Sequence, residues 1–288
     1  MKVLVTGGAG YIGSVVSRHL LQAGHEVVVL DSLERGHRAA VADAARLVVA
    51  DLREADAVDA AVREGFDGVL HFAAFALVGE SVSQPELYYH NNVVGTMNLL
   101  DAMRTAEVPR LVFSSTCAVY GQPDEVPISE AAPTRPTSPY GASKLAVDLM
   151  IGDYCRAHGL GAVSLRYFNV AGASAAAGED HDPETHLIPN VLRAALGRGR
   201  HVEVFGTDYP TPDGTAVRDY IHIEDLSDAH LLALDGARAG EHRVFNLGNG
   251  TGFSVRQVID AAREVTGRQI TVKEAGRRAG DPPRLIAA

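Results

Sequence analysis

Apolar residues fall along this chain in short bursts rather than in alternation. "KVLVTG", "EVVVLD", "RLVVAD", "GVLHFAA", "RLVFSST", "AVSLRYFN" and "RVFNLG" are rich in Val, Leu and Phe and lack the polar alternation of a half-exposed antiparallel strand. They read as buried strands. Between them the pattern predicts helices, among them 11–23, 92–105 and 139–158. Strand and helix repeated in this way predict an α/β fold, a doubly wound and mostly parallel seven-stranded sheet with helices on both faces.

After Asn169 the character changes. "AGASAAAGEDHDPETH" is small and polar, and "GTDYPTPDGTAVRDY" is rich in Pro and Gly. These loop-like stretches predict a smaller α/β lobe built from two segments, 171–216 and 250–288, with 1–170 and 217–249 forming the sheet domain. With 288 residues, the chain has length enough for this. A formal charge of -10 argues against a general nucleic-acid binder, which needs clustered Lys and Arg. The chain opens directly on a strand, without a basic-then-apolar leader, and no apolar run approaches membrane-spanning length. The expectation is a cytoplasmic protein with no membrane partner. Two cysteines, Cys117 and Cys155, make no disulfide framework. His71, His181, His186, His222 and His230 show no metal-ligand pattern, so they are expected to be solvated or core side chains and no metal is expected.

"TGGAGYIG", residues 6–13, sits between the first strand and the first helix. Its glycines permit a tight turn and close approach of the backbone to a pyrophosphate, which the helix N-terminus would then bind. The strand–turn–helix setting is the context this motif requires. Asp31 ends the second strand, where a carboxylate can accept hydrogen bonds from ribose hydroxyls and would repel a 2′-phosphate. That favours NAD over NADP, with Arg35 and Arg38 nearby as counterweights. Asp51 and Leu52 end the third strand, where they could meet the adenine or simply form a turn.

"TSPYGASK", residues 137–144, looks like a helix start, with Ser138 as cap and Pro139 in the first turn. It places Tyr140 and Lys144 on one face, one turn apart. A tyrosine has an unperturbed pKa of about 10, and nearby positive charge would lower it toward the range of a working base.

With the glycine loop and "YGASK" in one chain, the sequence resembles the extended short-chain dehydrogenase/reductase family. Within it, the sequence is similar to the UDP-glucose 4-epimerases, also called UDP-galactose 4-epimerases. The matching residues span nearly the whole chain: "VTGGAGYIGS", "HFAA" with "VGESV", "YYHNNVVGT", "FSSTCAVYG", "SPYGASK", "LRYFNVAGA", "HLIP", "VRDYIHIEDL", "FNLGNG" and "RRAGDPP". The resemblance implies a Rossmann-type fold, NAD as cofactor and a UDP-hexose as substrate. It also implies a homodimer formed through the helices near 92–105 and 139–158. Tyr140 then matches the active-site base, Lys144 the lysine on the nicotinamide ribose, and Thr116 the residue that holds the reacting hydroxyl. Gly7, Gly10, Tyr11, Ile12, Gly13, Phe72, Ala73, Asn91 and Tyr167 match positions around the cofactor. Asn169, His186, Leu187, Arg218, Arg278 and Asp281 match positions around the nucleotide diphosphate. Leu285 matches a residue lining the sugar pocket, where a bulky aromatic would exclude N-acetyl groups.

Two departures stand out. Many relatives carry a lysine after "HFAA"; this chain reads "HFAAFALVGES", so Arg35, another group or backbone donors would have to compensate. Relatives also continue for a few dozen residues beyond the "RRAGDPP" segment, so the second lobe is expected to be incomplete at its C-terminal side. The implied reaction inverts C4 through a transient 4-keto sugar. The nearest alternatives are other NAD-dependent nucleotide-sugar epimerases, dehydratases or decarboxylases. A dehydratase would need an Asp-Glu pair where this chain has Cys117 and Ala118. A non-catalytic NAD sensor or scaffold would have no need of Thr116, Tyr140 and Lys144 together.

Overall fold

In a computed structural model of the protein, which describes residues 1–175, 177–278 and 281–288, the first half alternates strand and helix as the apolar bursts predict. Its elements are β1 (Lys2–Thr6), α1 (Tyr11–Gln22), β2 (Glu26–Asp31), β3 (Arg46–Val49), α2 (Ala55–Val62), β4 (Gly68–His71), α3 (Val78–Ser83), α4 (Pro85–Tyr88), α5 (Gly95–Thr105), β5 (Arg110–Thr116), α6 (Pro139–His158) and β6 (Gly161–Tyr167). There follow β7 (Asn169–Ala171), α7 (Leu187–Ala195), β8 (Val202–Phe205), β9 (Val217–His222), α8 (Ile223–Gly236), β10 (His242–Leu247), β11 (Gly252–Ser254), α9 (Val255–Thr266), β12 (Val272–Ala275) and β13 (Arg284–Leu285).

Seven strands form one parallel sheet in the order β10-β6-β5-β4-β1-β2-β3. The order reverses between β1 and β4, and such a switch leaves a crevice at the carboxyl ends of the strands where ligands bind. Each face carries its own core. Leu4, Val28, Val69, Leu111 and Phe113 pack with α2, α5 and α6 residues such as Val58, Leu99 and Val147. Val3, Val5, Val29, Val112 and Leu165 pack on the other face with Val15, Leu20, Leu226 and Leu234 of α1 and α8. The continuous burial of β6 explains why its sequence shows no alternation.

Helix α6 has the bounds the sequence predicts. The Ser138 hydroxyl accepts from the Gly141 N–H at 3.2 Å, and Gly159 closes the helix at φ 75°. The expected helix 92–105 begins earlier and is not uniform: a π-helical turn over Tyr89–Val94 joins α4 to α5. Asn92 in that turn explains the widening. Its amide accepts from Phe75 N–H at 2.9 Å and donates to Phe75 C=O and to the Ser143 hydroxyl, both at 3.1 Å. It therefore ties the segment after β4 to α6, and π-turns recur at such functional positions.

The later chain builds two further sheets. A four-stranded one runs β11-β9-β13 with β7 also on β9, and β8 pairs with β12. Residue 217, the expected domain boundary, opens β9, which lies in the four-stranded sheet; α8 and β10 are the parts of 217–249 that lie on the large sheet. A separate core joins α7, β8 and α9, formed by Val191, Ala195, Val202, Val204, Ile259 and Ile270. Among the described residues, no helix is long and apolar enough to cross a membrane.

Candidate active site

The glycine turn shows which of its residues the fold itself demands. Gly7 adopts φ 72°, and a Cβ there would lie 2.5 Å from Ala73 N and 2.8 Å from the Phe72 carbonyl carbon. That close approach sets Phe72 and Ala73 against the turn. A Cβ on Gly13 would meet Gly7 O at 2.3 Å, so helix and turn can pack only with glycine there. Gly10 differs: its Cβ would touch only Gly7 O, at 3.4 Å. Gly10 is also the N-cap of α1, which has no side-chain cap and no acid in its first turn. An uncapped helix start with a bare Cα beside it suits a pyrophosphate. Asp31 stands beside this turn with Oδ2 accepting from Ala9 N–H at 3.0 Å and Oδ1 from Leu33 N–H at 2.8 Å. Those bonds hold the carboxylate in place for ribose hydroxyls. The residues present therefore fit a dinucleotide.

Other expected cofactor residues are placed less freely. Both oxygens of Asp51 are taken by Arg53, which also reaches Glu34, and this pairing holds the Asp51 carboxyl below its usual range. Leu52 is buried, and its carbonyl accepts from the Asn98 amide at 2.8 Å. The Asn91 amide donates to Asn92 Oδ1 at 2.9 Å, so the tie across to α6 belongs to Asn92. Tyr11 donates to Gly172 C=O at 2.6 Å, with Ile12 half-buried beside it. Arg35 spans the stretch where the lysine is missing. Its guanidinium lies 4.2 Å from the Phe75 ring centroid and donates to both Glu80 oxygens at 2.7 and 2.9 Å.

The chemistry-bearing residues meet where β5 ends and α6 begins. Thr116 closes β5, with its hydroxyl accepting from Ala118 N–H at 3.1 Å. Tyr140 is half-buried, edge-on to Tyr88 at 6.4 Å. Lys144 is only 3% exposed; its ammonium donates to Ser114 C=O at 2.7 Å and lies 4.7 Å from the Phe113 ring centroid. Burial pushes the Tyr140 phenol up to about 12, partly offset by the Thr116 hydroxyl. Burial pushes Lys144 down to about 7, opposed by the charge of Asp148. The expected lowering of the Tyr140 pKa is thus not produced by Lys144 alone. Its ammonium is turned to Ser114 and Phe113, and desolvation of the phenol dominates. A cation bound beside the phenol would work in the required direction.

Beneath this site lies a network that the sequence reading missed. Arg166 and Asp148, both buried, pair at 3.1 Å. Ser115 donates to Asp148 at 3.2 Å, Arg166 to the Tyr120 hydroxyl at 2.9 Å, and Tyr120 to Asn246 at 2.8 Å. The signal was present, because the four-residue spacing of Tyr140 and Lys144 continues to Asp148 on the same face of α6. Tyr167, beside Thr116 in the sheet register, hydrogen-bonds the His230 ring, and burial raises its pKa. His71 is a core histidine bonded to Thr6 at 2.6 Å and Thr96 at 2.8 Å, and burial holds it down at about 3. Burial pushes the Cys117 thiol up to about 12.

On the opposite wall, Arg218 donates to Asp281 at 2.8 Å, while Leu285 sits beside Arg218 in the β13–β9 register. Leu285 packs against the cluster holding Cys117 and Phe168. The Asn169 amide donates to Asp219 C=O at 3.0 Å, leaving its carbonyl oxygen free of that bond. Arg278 lies over the Phe205 ring at 3.9 Å. Asp219 is fully buried and accepts from the backbone N–H groups of Asn249, Gly250 and Ala287 at 2.7, 3.0 and 3.0 Å. His186 caps α7 just before Leu187, but its Nδ1 faces Glu179 at 2.7 Å and Glu184 at 2.8 Å, which raise it to about 9. His181 and His186 are therefore neither core nor simply solvated side chains. Glutamates gather around both.

This arrangement has close counterparts. A UDP-glucose 4-epimerase of Streptomyces lividans is 59% identical over all of this chain, which covers 88% of that protein. One of Corynebacterium glutamicum is 57% identical, again over the whole chain and 87% of the relative. The crystal structure of a UDP-glucose 4-epimerase from Brucella ovis in complex with NAD superposes with a TM-score of 0.95 at 45% identity, covering 100% of this chain and 89% of that one. The "NAD dependent epimerase/dehydratase family" matches residues 3–248, from β1 through the glycine turn, Thr116, Tyr140 and Lys144 to β10. With that match laid over the site geometry, the chain belongs to the NAD dependent epimerase/dehydratase family.

Proposed function

We propose that the protein interconverts UDP-galactose and UDP-glucose by inverting C4 through a transient 4-keto sugar. The observation that carries this reading is the meeting of Thr116, Tyr140 and buried Lys144 at the carboxyl edge of the sheet, beside an uncapped glycine turn. NAD, when bound, supplies acceptance of the C4 hydride and its return to the opposite face of the ketone. Tyr140 takes the proton of the C4 hydroxyl and later gives it back, while Thr116 holds that hydroxyl in line. Lys144 supplies a donor for the nicotinamide ribose, one helical turn from Tyr140. Gly7, Gly10, Gly13 and Asp31 hold the dinucleotide, and Asn169, Arg218 and Arg278 anchor the diphosphate so that the ketone can turn over between the two transfers.

Leu285 leaves more room than an aromatic residue, so the same pocket is proposed to accept UDP-N-acetylhexosamines. The protein is proposed to act in the cytoplasm as a homodimer through α5 and α6, whose Met97 and Leu149 are 43% and 64% exposed. The sheet domain is proposed as 1–170 and 217–249, and the nucleotide-sugar lobe as 171–216 and 250–288. The test is a proton NMR time course of UDP-galactose with protein and NAD. Growth of the UDP-glucose anomeric signal, absent in Tyr140→Phe, is expected. Its absence in folded, NAD-binding protein would redirect the assignment to another nucleotide sugar. The same assay with UDP-GalNAc tests the pocket width.

A further inference from the structure

The loop between β7 and α7 gathers Glu179, His181, Glu184 and His186, each offering a ligand atom, with those atoms all within 4.8 Å of one another. The residue types and number are those of a closed divalent-metal site, two imidazoles and two carboxylates. Hydrogen bonding accounts for only part of the cluster. His186 Nδ1 faces both glutamates, but His181 Nδ1, 3.2 Å from Glu179 Oε1, makes no hydrogen bond. Glu184 is the firmer sign. Its side chain is 1% exposed; Oε1 accepts from the His186 N–H at 2.8 Å, while Oε2 has no hydrogen-bond partner among the described residues. A buried carboxylate oxygen without a partner has lost its water and gained nothing in exchange, a cost that a bound cation removes.

We propose that these four side chains form a structural site for a d-block divalent cation such as Zn2+. Tetrahedral ligands at the usual zinc distances stand about 3.4 Å apart, which small side-chain rotations within this cluster would reach. Four protein ligands leave no open position, so the ion braces rather than reacts. Its place in the fold gives the brace a purpose. The same loop accepts a hydrogen bond from Tyr11 of the glycine turn at Gly172, meets His37 at the Asp180 carbonyl, and ends at the N-terminus of α7. A cation here fixes the loop that joins the cofactor turn to the nucleotide-sugar lobe.

The test uses tag-free, chelator-stripped full chain titrated with Co2+ alone and followed by its visible d–d absorption. One equivalent per chain with intense four-coordinate bands, bleached by added Zn2+, is expected. His181→Ala and Glu184→Gln should each abolish the bands while circular dichroism and NAD binding show a folded protein. The exposed His158→Ala should leave them unchanged. Zn2+ alone should raise the Tm of the wild type and not of the two ligand variants. A folded wild type without saturable bands, bands that survive both ligand substitutions, or binding without a gain in Tm would each overturn the proposal.

Discussion

The ammonium of Lys144 donates to the carbonyl of Ser114 at 2.7 Å, which ties the active-site helix to the strand that carries Thr116. That tie is made by a lysine that burial has pushed down to about 7 from an ordinary 10.5. An unfolded chain keeps the Lys144 proton up to the ordinary value, so it binds more protons than the folded one between the two. The cost of burying the charge is therefore full below about pH 7 and fades as pH rises toward 10.5. Lys144→Met is expected to raise the Tm of the NAD-free protein near pH 6, with a smaller gain near pH 9, while turnover is lost. A Tm that falls at both pH values would show that the Ser114 bond outweighs the buried charge.

Asp148 and Arg166 face each other with side chains 4% and 8% exposed. Removing one partner of such a pair strands the other, at a cost of about 3–5 kcal/mol. Asp148→Asn should show this in urea unfolding, and Arg166→Met combined with it should recover part of the loss. A single substitution costing under about 1 kcal/mol would place the pair among weak surface-like interactions.

The glycine turn allows two kinds of glycine to be separated. Gly13→Ala forces a Cβ to 2.3 Å from Gly7 O and should destabilise the fold by about 1–3 kcal/mol. Gly10→Ala meets protein only at 3.4 Å and should leave Tm nearly unchanged while NAD binding weakens at least tenfold. Calorimetric Kd values beside melting curves decide it. Wild-type NAD affinity in Gly10→Ala would move the pyrophosphate away from that Cα.

Arg35 is placed over Phe75, in the segment that lacks the lysine of many relatives. Arg35→Ala is expected to weaken NAD about tenfold, roughly 1.4 kcal/mol. An unchanged Kd would assign Arg35 wholly to its pairing with Glu80.

Much of this was legible in advance because burial leaves a one-dimensional trace. The strands of the large sheet are apolar runs, and α6 announces itself with Ser138 and Pro139. Tyr140, Lys144 and the glycine turn could be found because each needs a fixed local spacing. What stayed hidden depends on residues far apart in the chain. The spacing on α6 points to Asp148, but nothing near Arg166 marks it as the partner, and nothing near Asp219 reveals that it accepts from Asn249, Gly250 and Ala287. The π-turn was hidden for the same reason, since Asn92 widens it to reach Phe75 and Ser143. The gathering of His181 and His186 with two glutamates escaped notice because a loop, not a helix face, brings them together.

Asp219 has one more consequence, for the order in which the protein is made. Its carboxylate, buried in the finished fold, takes its three N–H partners from residues that arrive 30, 31 and 68 residues later in the chain. During synthesis from the ribosome the large sheet lacks only β10 by residue 241, yet this acid still has none of its partners. The wall that carries Arg218 and Leu285 therefore sets last. A nascent chain is expected to complete most of the large sheet before that wall, so dinucleotide binding is expected to precede substrate binding in the life of each molecule.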